Sequence, residues 1–230
     1  MTRPAAWGHY DFMVKWQTIR SSIIGRHSHS YAYAALVLSG GYEEAGDHGR
    51  FSVGPGEVVI DECFEAYINR FSHSGATLLN LSLPLETTFA TGIASVKDPD
   101  AIVRLAERSS PNAVRLLLST LEARRSAPAD WPDELAADLM RDPSLNLSHW
   151  SRRRGLTPWK TSRGFRQVFN VSPSSFRART RARLAWKEVA TTREPFADVA
   201  FKLGFADQPH MTRSIRHLTG KSPKEWRACK

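Results

Sequence analysis

Apolar positions along the chain follow two regimes. From Tyr31 to Leu83 they come in short runs, Tyr31–Leu38, Phe51–Val53, Val58–Ile60 and Thr77–Leu83, with Gly40-Gly41 and Gly54-Pro55-Gly56 as punctuation. Such runs, broken by glycine and proline, predict short antiparallel strands closed into a sandwich or barrel. After Pro99 the spacing turns helical. Ile102, Leu105 and Ala106 share one face, and so do Val114, Leu117, Leu118 and Leu121 behind Ser110-Pro111, a cap and first-turn proline. Both helices run into the charged, proline-containing stretch Glu122–Asp130, where a domain boundary is expected.

Beyond Trp131 the pattern is helical throughout and its cadence repeats. Leu145–Arg154 ends at Gly155-Leu156, the chain turns at Thr157-Pro158, and Trp159–Phe169 forms a second helix. Some 49 residues later Phe196, Val199, Ala200 and Leu203 form an apolar stripe that stops at Gly204-Phe205, and Asp207–Leu218 is the next helix, ended by Gly220. Each is a helix, a glycine-containing turn and a helix, the outline of a helix-turn-helix. Ser172-Pro173 opens one long helix, Ser174–Thr192, between them.

Charge divides the chain at the same place. Residues 1–130 carry 12 Lys and Arg against 14 Asp and Glu, a net of −2, whereas residues 131–230 carry 20 against 9, a net of +11. A basic balance confined to one domain suits a polyanion, because neutralising phosphates releases condensed counterions. RNA or membrane surfaces would leave the same mark. Met1–Tyr10 has no apolar segment behind a basic one, and the longest apolar run is too short to span a bilayer, so a cytoplasmic protein is expected. The cysteines, Cys63 and Cys229, lie one in each half and write neither a disulfide framework nor a zinc site.

The second helix of a helix-turn-helix must show one face to its core and the other to the major groove. In Asp207–Leu218 the apolar Met211, Ile215 and Leu218 share a face, while Gln208, Thr212, Arg213 and Arg216 project elsewhere. Arg213 is the first choice for reading bases, since arginine bonds a guanine edge through two donors; a solvated surface helix is the alternative. The stretch Phe196–Arg227 resembles the AraC/XylS family of transcription regulators in Asp198-Val199-Ala200, Leu203-Gly204-Phe205-Ala206-Asp207-Gln208, His210-Met211-Thr212-Arg213, Leu218-Thr219-Gly220, Ser222-Pro223 and Trp226-Arg227. The resemblance implies base contacts from Gln208, His210, Thr212 and Arg213, with Pro209 where many members have a small or polar residue, and Arg216 at the phosphates.

The first unit is similar to the family in Gly155-Leu156-Thr157-Pro158-Trp159, Ser162-Arg163-Gly164-Phe165, Phe169 and Ser172-Pro173. This implies Trp159, Ser162 and Arg163 at bases and Lys160 and Arg166 at phosphates, with a buried anchor as the other reading of Trp159. Ser151 stands where the family usually has alanine, a hydroxyl in a tight helix contact. Arg181 matches the arginine that ties the two units together; for Arg177, Arg179 and Arg183, and for Arg152, Arg153 and Arg154, a solvated face competes with DNA contact.

The N-terminal half resembles the cupin-like sensor of the same family in His27-Ser28-His29, Gly41-Tyr42-Glu43-Glu44-Ala45-Gly46-Asp47, Gly49-Arg50, Pro55-Gly56-Glu57 and Phe64-Glu65-Ala66-Tyr67. Cupin metal sites combine two histidines, a nearby glutamate and a later histidine. Here that glutamate is missing between Tyr31 and Leu38, Tyr67 stands where relatives often have histidine, and His73 reads as a loop tip. His27, His29 and Tyr67 are therefore expected to line a small-molecule effector pocket, with no metal and no cofactor.

The whole is a multi-domain fold: residues 1–125 form a cupin-like antiparallel β-barrel sensor with following helices, and residues 131–230 an all-α DNA-binding domain with helix-turn-helix units at about 145–170 and 195–219. The expected function is an effector-responsive transcription regulator and not an enzyme. Its partners would be double-stranded DNA, a small molecule, a second copy joined near Ile102 and Leu117, and RNA polymerase if it activates. The rival readings are a cupin metalloenzyme with a DNA-binding tail and an alkyl-accepting DNA-repair protein; the second fails on Cys63 and Cys229, which lack a cysteine cluster.

Overall fold

A computed structural model describes residues 13–84, 92–124 and 130–228. The expectations for residues 1–10 and Cys229 lie outside them. The N-terminal part is one antiparallel sheet of β1 (Val14–Ile19), β2 (Ile23–Ser28), β3 (Tyr33–Gly46), β4 (Gly49–Val53), β5 (Glu57–Asp61), β6 (Ala66–Ser82), β7 (Gly92–Val96) and β8 (Leu121–Ala123). Two helices, α1 (Pro99–Ala106) and α2 (Ser110–Ser119), connect β7 to β8. Then follow α3 (Trp131–Arg141), α4 (Leu147–Arg153), α5 (Pro158–Phe169), α6 (Pro173–Thr191), α7 (Phe196–Lys202), α8 (Gln208–Thr219) and α9 (Pro223–Ala228).

The long strands β3 and β6 form the spine of the sheet, and two expectations change there. Gly40-Gly41 does not end a strand: the β3–β6 register shifts between Val37 and Ser39 and again between Gly40 and Tyr42, and β3 continues to Gly46. Such irregularities bend a strand without ending it. His73 lies within β6 rather than on a loop tip, and is exposed. Beyond the bend β2 replaces β1 as the neighbour of β6, and β4 replaces β5 beside β3. The resulting order, β1-β6-β3-β5-β7-β8 with β2 on β6 and β4 on β3, is an open path. The expected closed barrel is thus a bent sheet, with no ladder joining β1 to β8 among the described residues.

Alternation along the strands gives the sheet two working faces. Before the bend Ala34, Leu36, Leu79 and Leu81 pack outward with Ile102, Val114 and Leu117 of α1 and α2. After it Ala45 and Ile68 pack outward with Leu135, Phe165 and Phe169 of the first helical unit. The opposite, inward face carries Val37, Tyr42, Val59, Phe71 and Leu78 as an apolar floor. Ile102 and Leu117 are fully buried against their own sheet, so the faces that α1 and α2 leave open are those of Arg104 and Arg115. The charged stretch after α2 also begins with an unforeseen strand, β8, whose Leu121 and Glu122 pair with Val96 and Ser95 of β7.

The helical half is bound to this sheet by apolar contact. Phe64, held at φ 61, meets Trp186 of α6 and Trp226 of α9 edge-on at ring distances of 4.8 and 6.0 Å. Through it the sheet core runs into Val189, Val199, Phe205, Met211 and Ile215 without a break.

Glycine is required at the bend. Gly40 and Gly75 have φ of 71° and 69°, and a Cβ on Gly40 would overlap the Gly75 carbonyl while one on Gly75 would overlap the Ile19 carbonyl. Gly75→Ala is therefore expected to lower unfolding stability by roughly 1–3 kcal/mol or more in urea titration. Gly25→Ala, with nothing within 4 Å of its would-be Cβ, should shift it far less; equal losses in the two variants would contradict this account of the bend.

Candidate nucleic-acid interface and the cavity behind it

In the first unit α4 is capped by Asn146, whose side chain accepts from the His149 N–H at 2.9 Å. The chain leaves α4 through Gly155 at φ 65, and the Leu156 N–H returns to the Ser151 carbonyl at 2.9 Å. Thr157 caps α5 by accepting from Lys160 N–H, and Pro158 supplies the first turn. Burying Thr161, Phe165 and Phe169 leaves Trp159, Lys160, Arg163 and Arg166 exposed and Ser162 half-buried. Trp159 is 63% exposed, so it is no buried anchor, and the Arg163 guanidinium lies over its ring at 5.0 Å. Trp159, Ser162, Arg163, Arg166 and Gln167 line one shallow surface groove. Gln167 was missed from sequence, although it continues the four-residue spacing of Trp159 and Arg163.

The second unit is built the same way. Gly204 at φ 69 ends α7, the Phe205 N–H returns to the Ala200 carbonyl at 2.9 Å, and Asp207 caps α8 by accepting from the His210 N–H at 2.6 Å. Met211 and Ile215 are buried; Gln208, Pro209, Arg213 and Arg216 are exposed and Thr212 is half-buried. His210 is half-buried with its ring edge-on to Phe205 at 5.4 Å, which makes it the candidate most tied to the fold. Arg216 stands 3.9 Å from Glu225, an exposed pair of little energetic weight.

Ser151 satisfies its buried hydroxyl completely, donating to the Leu147 carbonyl and accepting from Thr161, each at 2.8 Å. Arg181 donates to the Gly204 carbonyl at 2.8 Å and the Pro143 carbonyl at 3.2 Å, so it joins the turn of the second unit to the loop before α4. The other α6 arginines turn inward. Arg177 donates to the Leu145 carbonyl and Arg179 to the Phe64 carbonyl. Arg183 is buried with Glu65 at 2.7 Å, Glu62 at 3.2 Å and Asp47 at 3.6 Å. Burial opposes its charge, but Glu65, Asp47 and Glu62 outweigh that and keep its pKa raised. Arg183 is thus an interior residue, while Arg177 and Arg179 are half-buried. Of the run after Trp150, Arg152 and Arg153 are exposed, while Arg154 pairs with Glu134 and stacks on Trp150.

Two sheet arginines grip the end of α5. Arg26 donates to the Phe169 carbonyl at 3.2 Å and to Asp47 at 2.9 Å. Arg70 donates to the Gln167 and Val168 carbonyls at 3.0 and 2.6 Å and to Glu43 at 2.9 Å. Carbonyls of a last helical turn lack intrahelical donors and carry the negative end of the helix dipole, so two guanidiniums there meet both needs.

The strand neighbours of these arginines point the other way, into a cavity of about 180 Å³ between the bent halves of the sheet. His27, His29, Tyr31, Tyr33, Tyr67 and Asn69 form its polar wall, with Lys15 also lining it. His29 sits at the centre of that wall, 5.3 Å from the His27 and Tyr33 rings and 5.2 Å from Tyr31. Tyr33 donates to the Tyr67 oxygen at 2.5 Å, and Asn69 donates to the buried Glu44 at 2.8 Å. Burial, against the Asn69 hydrogen bond, raises Glu44 to about 8; burial and the charge of Glu44 raise Asp61 well above the carboxylate range. Burial lowers His29. His73 is not among the lining residues, and among the described residues no group of three His, Cys, Asp or Glu is placed to hold a metal.

Two capped, outward-facing second helices, each in its own apolar cluster and joined by α6, define a double helix-turn-helix. Residues 150–228 match the family described as helix-turn-helix domain. The chain is similar to the arabinose operon regulatory protein of Escherichia coli (strain K12), 34% identical over 92 residues, 40% of this chain and 32% of that protein. It is also similar to the regulatory protein SoxS of the same strain, 29% identical over 86 residues, 37% of this chain and 80% of that protein. The match thus spans about a third of the arabinose regulator. Among solved structures, apo ToxT from Vibrio cholerae strain SCE256 superposes with a TM-score of 0.43 at 9% identity, covering 96% of this chain and 98% of that one. No helix among the described residues is long and apolar enough to cross a membrane.

Two outcomes follow from this geometry. Replacing Arg26 and Arg70 together by alanine strips α5 of charged donors, so amide exchange in its last turn should quicken about tenfold or more while α8 keeps its rate; unchanged exchange would show that the grip is not energetic. Glu44 holds a proton in the folded chain that it has lost in the unfolded chain between pH 4.5 and about 8, so its contribution to stability is lost as pH rises through that window. Relative to Glu44→Gln, the wild type should therefore lose stability from about pH 5 to about pH 8, by at most about 1.4 kcal/mol per pH unit. A pH-independent difference between their unfolding curves would refute this.

Proposed function

We propose that the chain is a sequence-specific, effector-responsive transcription regulator. Residues 1–125 act as the sensor and residues 131–230 as the reader. The observation that carries this is the pair of capped helices α5 and α8, each showing arginines and a hydroxyl on its uncovered face. Trp159, Ser162, Arg163, Gln208, His210, Thr212 and Arg213 take the base edges, and Lys160, Arg166 and Arg216 the phosphates.

Support for effector response comes from β2 and β6, which line the cavity with His27, Tyr67 and Asn69 and grip α5 with Arg26 and Arg70 from the alternate positions. A small molecule that moves those strands is felt at α5. A second copy would need a seam other than Ile102 and Leu117, and RNA polymerase is a partner if the chain activates. The cupin-enzyme reading finds less support, since His27 and His29 stack edge-on within an aromatic wall.

Binding of the full chain to a duplex selected from a random pool tests the proposal. Affinity should fall steeply with salt and exceed that for a scrambled duplex. The double variant Arg163→Ala with Arg213→Ala should keep salt-dependent binding and lose most of the preference; equal wild-type affinity for selected and scrambled duplexes would overturn sequence-specific reading.

A further inference from the structure

The two heads are one construction made twice, and the copy extends to the side chains that face outward. Helix α5 runs from 158 to 169 and α8 from 208 to 219, an offset of 50 at both ends. Each starts behind a side-chain cap, Thr157 or Asp207, and has a proline in its first turn. The buried positions Thr161 and Phe165 recur as Met211 and Ile215. Each helix ends in a left-handed residue, Asn170 or Gly220, whose N–H bonds the carbonyl of Arg166 or Arg216 at 2.9 or 2.8 Å. A Ser-Pro pair then opens the next helix in both cases.

With backbones matched in this way, side chains at the same offset stand in the same place relative to a groove that receives the helix. Ser162 and Thr212 are both half-buried; Arg163 and Arg213, and Arg166 and Arg216, are all exposed. All three pairs are alike in chemistry: a hydroxyl, and two guanidiniums one turn apart. The outward positions that differ include Pro158 against Gln208, Trp159 against Pro209, Lys160 against His210, and Gln167 against His217.

We propose that the DNA site of this chain carries one short base element twice, once for each head. Arg163 with Ser162 reads it in one arm and Arg213 with Thr212 in the other, about one helical turn of DNA apart. An arginine fork presented from an equivalent backbone position meets the same guanine edge. Arg166 and Arg216 set the register on the phosphates. The arms diverge near the helix starts, where Trp159 serves one and Gln208 and His210 the other, and again where Gln167 and His217 reach: a carboxamide offers an adenine edge a donor and an acceptor together, whereas an imidazole carries its two nitrogens on opposite sides of its ring. The inference rests on the reading of the chain as a sequence-specific DNA binder.

Random-duplex selection with the full chain, repeated with Arg163→Ala, Arg213→Ala and the exchange Gln167→His with His217→Gln, tests it. The expected motif holds a common element in both arms. Each alanine variant erases the same base preference, one in each arm, and weakens binding to the intact site roughly tenfold to a hundredfold. The exchange variant moves the bases read by Gln167 and His217 from one arm to the other and leaves those read by Trp159, Gln208 and His210 in place. Arms with nothing in common in either orientation, or alanine variants that erase different bases, would overturn the inference while sequence-specific reading stands. A wild-type pool that never enriches a motif would overturn that reading itself, and the inference with it.

Discussion

Arg183 sits where the two halves of the molecule meet, its side chain 5% exposed and faced by Asp47, Glu62 and Glu65 from the sheet domain. His48 shares Glu65 with it at 2.5 Å, and Lys187 reaches Glu62 from the next turn of α6. Taking these charges out of water costs several kcal/mol per ion, and their attraction offsets this only with good geometry. Without the arginine, the buried Asp47 and Glu65 would keep Arg26 and His48 and lose their shared partner on α6; removing one member of a buried ion pair typically costs about 3–5 kcal/mol. The sheet domain and α6 are therefore bound by a contact that neither side can leave half-made. That is what distinguishes it from the apolar contact of Phe64 with Trp186, which degrades gradually as packing loosens.

Because α6 is held by its middle, the heads at its two ends inherit fixed positions relative to the sheet. They do not inherit equal support. The carbonyl end of α5 is completed by Arg26 and Arg70 from β2 and β6, whereas α8 finishes itself with Gly220 and a hydrogen bond from the Thr219 hydroxyl to the Ile215 carbonyl at 2.8 Å. One head thus depends on the sensor for the satisfaction of its last turn. The other depends on local chain chemistry, with Trp226 donating to the Thr219 oxygen at 2.7 Å.

The helical half was largely legible in sequence because its signals are local. Gly155, Gly204 and Gly220 mark left-handed exits, Ser172-Pro173 and Ser222-Pro223 mark starts, and the apolar stripe of α8 leaves Arg213 on the open face. The sheet was less legible. Gly40 reads as a turn when only its conformation is considered; that it bends a continuing strand depends on the opposing Gly75, remote in sequence. The arginines of α6 misled for a related reason. A polar string on a helix reads as solvated or DNA-facing, and only the acidic wall formed by Asp47 on one connection and Glu62 and Glu65 on another shows that Arg183 is an interior residue. Ile102 and Leu117 showed the converse, an apolar stripe whose partner is its own sheet.

The placement of the cavity sharpens what sensing can mean in this chain. A ligand seated among His27, Tyr67 and Asn69 would press on β2 and β6 from inside, and a strand cannot shift one set of alternate side chains without the other. The residues displaced on the outer face include Arg26 and Arg70. Arg26 also bonds Asp47, a member of the Arg183 cluster, so the same displacement reaches α6. Movement of these strands would therefore travel along two routes with different endpoints, one to the carbonyls of α5 and one to the helix that spaces the heads. The first alters how firmly one head is held, and the second alters where both stand. Since a close-packed interior passes on strain with little absorption, a small change in the aromatic wall would reach the two heads unequally.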